Sequence, residues 1–318
     1  MEQKVGNVLI IDEVHPLIPE ELTNHGFSCD YFPDYRREDF LRIIDQYTGV
    51  IVRSKIRIDK EFLSGASKLK FIGRVGSGLE NIDVACAEAK GILCLNSPEG
   101  NRDAVAEHAV GMILSLMNHI SRADKEIRVG TWIREGNRGN EIKGKTVGII
   151  GYGNTGSAFA QRLKGFETNV ISFDKYKTGY SDGNTREATL AEIFESADIL
   201  SLHVPLTEET TFMVDASFIG KFRKPVWLIN TSRGNVVKTS DLVESLKTGK
   251  VKGAALDVLE YEDSSFEVLS RDLPDDYRYL LEAENVILTP HIAGWTQESN
   301  IRLAKVLVEK ILSRNIEM

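Results

Sequence analysis

The run Thr146-Val147-Gly148-Ile149-Ile150-Gly151-Tyr152-Gly153-Asn154-Thr155-Gly156 decides how this chain is read. Val147 to Ile150 read as a buried strand and SAFAQRLKGF, from Ser157, as a helix, so three glycines fall in the turn between the two. Each glycine then has a task. Gly151 permits the tight turn, Gly153 lets the backbone approach a pyrophosphate, and Gly156 allows the helix to pack closely on the strand. With Asn154 and Thr155 between them, the helix N-terminus offers unpaired N–H groups and a partial positive charge to phosphates. Asp174 closes the next strand, NVISFD, 18 residues after Gly156. A carboxylate there accepts hydrogen bonds from a ribose 2′-hydroxyl and repels a 2′-phosphate, so the expected cofactor is NAD. Lys175 and Lys177 follow, but neither is an arginine placed to clamp a 2′-phosphate. A purely structural turn would require strand, glycines, helix and acid to fall in register by chance.

Working outward, TVGIIG is joined downstream by NVISF, ADILSLHV, VWLINTS, GAALDV and NVILTP, six strand candidates for one open sheet. Upstream, VGNVLIID, SCDYF, GVIVRS, LKFIGRVG and GILCLNS alternate with helical patterns such as EELTNHGF and REDFLRIIDQY. Such alternation implies parallel strands with helices on both faces. Residues 101–120, NRDAVAEHAVGMILSLMNHI, read as a helix that is apolar on most faces and bridges two domains. The final helix, ESNIRLAKVLVEKILS, has no strand of its own and is expected to pack back on the first domain. The expected fold is α/β, with two Rossmann- or flavodoxin-like domains built on parallel sheets. Residues 1–97 plus 296–318 would form a discontinuous substrate domain and 98–295 the nucleotide domain.

The length of 318 residues suits two domains at ~150 residues each. A hydrophobic share of 42% is too high for a disordered chain. Thirty-nine basic against 47 acidic side chains leave a net charge of -8, so no global field draws the protein to nucleic acid or anionic lipid. No segment approaches the ~20 apolar residues of a membrane span, and the N-terminus lacks a signal-peptide core, so neither nucleic acid nor membrane is an expected partner and the compartment is read as cytoplasm. Cys29, Cys86 and Cys94 form no CxxC pair and have no histidines at ligand spacing; they read as reduced, mostly buried thiols, with no metal expected.

Three polar residues fall at the carboxyl ends of strands, where open parallel sheets carry function. Arg233 follows VWLINTS, Glu262 lies five residues past Asp257, and His291 follows NVILTP. Exchange of a hydride with a 2-hydroxy acid needs a cation for the carboxylate, which arginine provides through paired N–H donors. It also needs a group that takes and returns a proton near neutrality, which histidine does, and an acid that fixes the histidine tautomer and stabilises imidazolium. Singly, each residue has a bland reading: a loop-capping arginine, a solvated carboxylate, a satisfied core histidine. Together, after a dinucleotide fingerprint, they point to one site.

The blocks GRVGSGLENID (73–83), VAEHAVGMIL (105–114), GIIGYGNTG (148–156), LHVPLTEETTFMV (202–214), LINTSRGNVV (228–237), GAALDVLEYE (253–262) and ILTPHIAGWT (287–296) resemble the D-isomer-specific 2-hydroxyacid dehydrogenase family over nearly the whole chain. The resemblance implies two domains with the site in the cleft between them, a small-molecule 2-hydroxy or 2-oxo acid as substrate, and a homodimer built around the bridging helix. It implies that Arg233 binds the substrate carboxylate, that His291 is the acid/base and that Glu262 is its partner. Asp257 and Thr231 would lie at the nicotinamide, His203, Val204 and Pro205 along the adenosine half, and His291 and Gly294 would also contact the cofactor. The family usually has a proline after the glutamate, whereas Glu262 precedes Asp263 and an acidic segment; Glu260 is the other candidate, and the offset from Asp257 favours Glu262.

Val75, Gly76, Ser77 and Gly78 follow a strand end and form either a plain turn or an anion nest against which the family places the substrate carboxylate. Arg53, Lys55 and Arg57 alternate, with Ser54 between the first two, so an extended segment would point them to one face. Such a face is either a phosphate clamp, as the resemblance to phosphoglycerate dehydrogenases implies, or a solvated basic edge. No C-terminal regulatory domain is expected. The leading expectation is an NAD-dependent D-2-hydroxyacid dehydrogenase, with 3-phosphoglycerate a candidate substrate. The alternatives are a hydroxypyruvate or glyoxylate reductase and an NAD(H)-sensing binding protein of the same fold.

Overall fold

A computed structural model describes residues 5–262 and 274–314. Most of the acidic segment noted after Glu262, residues 263–273, lies outside the described residues. The described chain forms two compact units, residues 5–101 with 295–314 and residues 102–262 with 274–294.

The first unit is a five-stranded parallel sheet of β1 (Gly6–Ile10), β2 (Phe27–Tyr31), β3 (Gly49–Val52), β4 (Phe71–Arg74) and β5 (Leu93–Asn96), in the order β2-β1-β3-β4-β5. That is the flavodoxin-like order. The central strand β3, GVIV, is buried along its whole length, as a strand covered on both faces must be. One face carries a core around Phe40, Ile44, Phe62 and Ile72. The other packs Val8, Ile10, Ile51 and Phe71 against Ala304, Leu307, Val308 and Ile311 of the C-terminal helix Gln297–Ser313. Thr296 and Ser299 cap that helix reciprocally, and Lys310 Nζ lies 2.8 Å from Glu99 Oε2. Each large aliphatic side chain buried this way contributes roughly 1.5–3 kcal/mol, which fastens the helix to the sheet.

The second unit holds β6 (Thr146–Ile150), β7 (Asn169–Phe173), β8 (Arg186–Glu187), β9 (Ile199–Leu202), β10 (Val226–Asn230), β11 (Val251–Leu256) and β12 (Val286–Leu288), in the order β12-β11-β10-β9-β6-β7-β8. Every described strand pairing is parallel. The strand order reverses between β6 and β9, the switch point at which doubly wound sheets bind nucleotides. The two-residue β8 makes this a seven-stranded sheet where six strands were expected; it is too short and polar to show strand periodicity.

The long helix runs over Pro98–Met117, not 101–120. Proline suits its first position, since no N–H is needed there. It stops because His119 adopts a left-handed φ of 54°, and a second helix, Ile120–Arg128, follows with no buried residue. The three cysteines are half-buried rather than mostly buried, although burial still pushes the Cys94 thiol up to about 11. Among the described residues no helix is long and apolar enough to cross a membrane, and no cluster of His, Cys, Asp or Glu is arranged to hold a metal.

The turn after β6 leaves no room for a side chain at Gly151 or Gly156. Gly151 has φ +91°, and a Cβ on Gly156 would lie 2.1 Å from the Gly151 carbonyl oxygen. Gly156→Ala is therefore expected to destabilise the fold by about 1–3 kcal/mol, since an overpacked backbone contact must shift the helix. Urea unfolding checks the loss of stability, and NADH fluorescence titration checks the accompanying loss of binding.

Candidate active site

Strands β10, β11 and β12 are neighbours in register, Asn230 opposite Leu256 and Leu256 opposite Leu288. Their carboxyl ends therefore form one rim, with adjacent strands about 4.8 Å apart. Arg233 follows β10, Asp257 and Glu262 follow β11, and His291 follows β12.

The Arg233 loop is shaped by Asn230, buried to 1% exposure, which sequence reading passed over as a strand residue. Its Nδ2 donates to the Arg233 carbonyl at 2.9 Å, and its Oδ1 accepts from the Ser232 backbone N–H and hydroxyl. Such local side-chain to backbone bonds turn the chain out of the sheet. Arg233 itself is half-buried, with Nη1 donating to the Ser232 carbonyl at 2.6 Å.

His291 Nδ1 lies 2.7 Å from Glu262 Oε2, while the other Glu262 oxygen accepts from the Leu259 backbone N–H. Glu260 is directed elsewhere and accepts from the Thr239 N–H at 2.9 Å. An ionised carboxylate can only accept, so the Nδ1 proton sits toward Glu262 and the imidazole Nε2 is left to face other groups.

Asp257 was expected at the nicotinamide, yet its carboxylate is only 1% exposed and engaged within the chain. It accepts from Thr289 Oγ1 at 2.5 Å, Ile292 N at 2.9 Å and Ala293 N at 2.8 Å. A buried acid needs such donors, and these come from the loop that carries His291. His203 is likewise turned inward. Its Nε2 lies 2.8 Å from Ser201 Oγ and its ring packs on Phe159, while its carbonyl and Cβ face the fingerprint at Gly151 and Gly156. Val204 flanks Gly151, and Pro205 is exposed.

Around the fingerprint, Gly153 is the N-cap of the helix Asn154–Leu163 with no side-chain cap, and the space where its Cβ would point is open. Asn154 and Thr155 are half-buried in the first turn. Asp174 Oδ2 accepts from the Tyr152 N–H at 2.8 Å. Lys175 Nζ lies 2.5 Å from Glu209, and Lys177 Nζ donates to the Tyr152 carbonyl, so both lysines beside Asp174 have partners. Thr231 Oγ1, just beyond β10, is buried without a hydrogen-bond partner among the described residues.

The remaining expected residues belong to the first unit. Residues 53–56 bend rather than extend, so the alternating face inferred for Arg53, Lys55 and Arg57 does not form. The cause is Asp12, whose carboxylate gathers the backbone N–H groups of Arg53 (2.6 Å), Ser54 (3.1 Å) and Lys55 (2.9 Å). The Arg53 guanidinium lies 4.4 Å over the Trp295 ring, and Lys55 Nζ donates to the Pro33 carbonyl at 2.7 Å. In the glycine loop, Val75 N donates to the Val52 carbonyl and Gly76 N to the Arg74 carbonyl, which confines any anion nest to Ser77 and Gly78. Ser77 Oγ donates to Asn101 Oδ1 at 2.7 Å.

The NAD-binding domain of the D-isomer specific 2-hydroxyacid dehydrogenases matches residues 110–293. The chain belongs to that family. It is 33% identical over 308 residues to D-3-phosphoglycerate dehydrogenase of Archaeoglobus fulgidus, covering 96% of this chain and 56% of that one. It is 37% identical over 275 residues to hydroxypyruvate reductase of Thermotoga maritima, covering 86% of this chain and 87% of that one. The solved D-lactate dehydrogenase of Aquifex aeolicus, complexed with NAD and lactic acid, superposes with a TM-score of 0.81 at 28% identity over 96% of this chain and 95% of that one. The chain thus spans only a little over half the length of the archaeal phosphoglycerate dehydrogenase.

The residues of this family member fit NAD. The uncapped helix N-terminus and the open space at Gly153 suit a pyrophosphate, and the orphaned Thr231 hydroxyl suits a polar ligand at the β10 rim.

The inward turn of His203 has a measurable consequence. Burial pushes it down to about 3, against ~6.5 for an ordinary histidine. Between those pH values the unfolded chain takes up a proton that the folded chain refuses, so stability is full above about pH 6.5 and falls as pH is lowered. The expected slope from this group is up to ~1.4 kcal/mol per pH unit. Denaturant unfolding between pH 7 and 4 should show that slope in wild type and a flatter one in His203→Gln.

Proposed function

We propose that this protein is an NAD-dependent dehydrogenase that interconverts a D-2-hydroxy acid and its 2-oxo acid. The 2.7 Å pairing of His291 with Glu262 on the rim that also bears Arg233 carries this reading. The chemistry that bound NAD would supply is acceptance or donation of the hydride at the carbinol carbon. Gly151, Gly153, Asn154, Thr155 and Gly156 would hold its pyrophosphate, Asp174 would hold its ribose, and Thr231 and Gly294 would serve the cofactor as well. Arg233 binds the substrate carboxylate through its planar N–H donors. His291 Nε2 receives the hydroxyl proton during oxidation and gives it back during reduction, while Glu262 holds the ring in the required tautomer and balances the imidazolium charge.

For the substrate, the match to phosphoglycerate dehydrogenases favours a phosphorylated three-carbon acid. The stacking of Arg53 on Trp295 and the turn of Lys55 toward Pro33 favour a second reading, reduction of a small unphosphorylated 2-oxo acid. In either case the larger unit binds the nucleotide and carries Arg233 and His291. Three free thiols suit a reducing compartment, and a cytoplasmic enzyme is part of this reading.

We also infer a homodimer. Ile120, Ile127, Val129, Trp132 and Ile133 are 46–79% exposed along one short stretch, apolar surface that a second copy would cover.

NADH oxidation assayed with 3-phosphohydroxypyruvate, hydroxypyruvate, glyoxylate and pyruvate tests the activity and separates the two substrate readings. A protein that binds NADH and turns over none of a broad 2-oxo acid panel would be a binding protein instead. His291→Ala should lose about 100- to 10,000-fold in kcat with NADH affinity retained, and Arg233→Ala should raise KM and lower kcat together. Light scattering after gel filtration should report a dimer for wild type and a smaller species for Trp132→Glu.

A further inference from the structure

We propose that Thr289 and His108, neither of which belongs to the triad, are positioning residues that hold His291 in its working orientation. The inference rests on the reading of His291 as the acid/base. His291 sits at φ 54°, a left-handed conformation that a residue with a Cβ adopts only where its surroundings over-determine it. The peptide on its N-terminal side is fixed by the Thr289 N–H to the Leu256 carbonyl and by the His291 N–H to the Asp257 carbonyl at 2.8 Å. On its C-terminal side, the Asp257 carboxylate takes the N–H groups of Ile292 and Ala293. Asp257 is thus the clamp, and what orients the clamp orients the turn.

Two side chains also act on Asp257. Thr289 Oγ1 lies 2.5 Å from Asp257 Oδ1, and His108 Nε2 lies 3.1 Å from the same hydroxyl and 3.6 Å from Oδ1. Ionised, Asp257 only accepts, so the Thr289 hydroxyl proton points at it. The hydroxyl oxygen is then left to accept, and its partner is the Nε2–H of His108. The proton order along the chain is therefore fixed: His108 donates to Thr289, and Thr289 donates to Asp257. His108 projects from the part of the helix Pro98–Met117 that belongs to the same unit, so the relay ties the strained turn to a rigid element. With Nδ1 held by Glu262 and the backbone held by this relay, the direction of His291 Nε2 is set from two sides. A displacement of about 1 Å at a proton-transferring atom can cost on the order of 100-fold in rate.

The test compares Thr289→Val, nearly isosteric but without the hydroxyl, with Thr289→Ser, and His108→Leu with His108→Gln, which retains an N–H donor. Thr289→Val is expected to lower kcat about 10- to 100-fold, with KM for the 2-oxo acid changed less than about 3-fold and NADH affinity by fluorescence unchanged. Thr289→Ser should restore kcat. His108→Leu should fall in the same direction and His108→Gln recover. In parallel, the low-field NMR resonance of the His291 Nδ1 proton should move in Thr289→Val and return in Thr289→Ser, a readout that needs no turnover. The proposal is overturned if both kcat and that resonance are unmoved in Thr289→Val, if the serine variant does not restore them, or if kcat falls only in step with NADH affinity. A His291→Ala enzyme with undiminished kcat would instead remove the acid/base reading, while the resonance still decides whether Thr289 holds the turn.

Discussion

A carboxylate removed from water must find hydrogen-bond donors, and the functional rim of this protein is organised by that requirement. Asp257 is almost fully buried, and an unpaired ionised acid in such a place would cost several kcal/mol. Its compensation comes from three donors in the segment 289–293, so the same bonds that make the buried acid tolerable also fold the turn that presents His291. Without that constraint His291 would have no reason to adopt a left-handed backbone, and the distance to Glu262 would be one of many.

The device recurs. Asp12, after β1, gathers three N–H groups from the loop after its neighbour β3, and Asp174, after β7, accepts the Tyr152 N–H from the loop after its neighbour β6. In each case an acid at the carboxyl end of one parallel strand satisfies the loop leaving the adjacent strand. Those loops leave the ladder and cannot satisfy their own N–H groups, which is why an acceptor on the next strand shapes them. The rims of both sheets are therefore pre-formed by short-range electrostatics, and side chains carried on the loops inherit fixed positions. Asn230 performs a neutral version of the same task for the Arg233 loop.

Several residues show where sequence reading stopped. The apolar run Val147–Ile150 and the glycine spacing beyond it were sufficient for a doubly wound sheet, because a short buried strand and a tight glycine turn are local properties. The pattern could not reveal that residues 53–56 bend, since the cause is Asp12, some 40 residues earlier. Nor could it show that His203 and Asp257 face inward, because strand-end polar residues read alike whether they serve a ligand or a neighbouring loop. Thr289 and His108 left no trace for the same reason: their partnership joins positions 181 residues apart in the chain.

By itself, then, the order of residues determined the element types, the two parallel sheets, the dinucleotide fingerprint and the family, all of which depend on short spacings and backbone preferences. Only the tertiary structure decided which acid meets His291, which carboxylates are engaged by backbone, and where the long helix breaks. Those outcomes depend on which strands become neighbours and which buried charges must be satisfied, and both are set only when distant segments are brought to one rim.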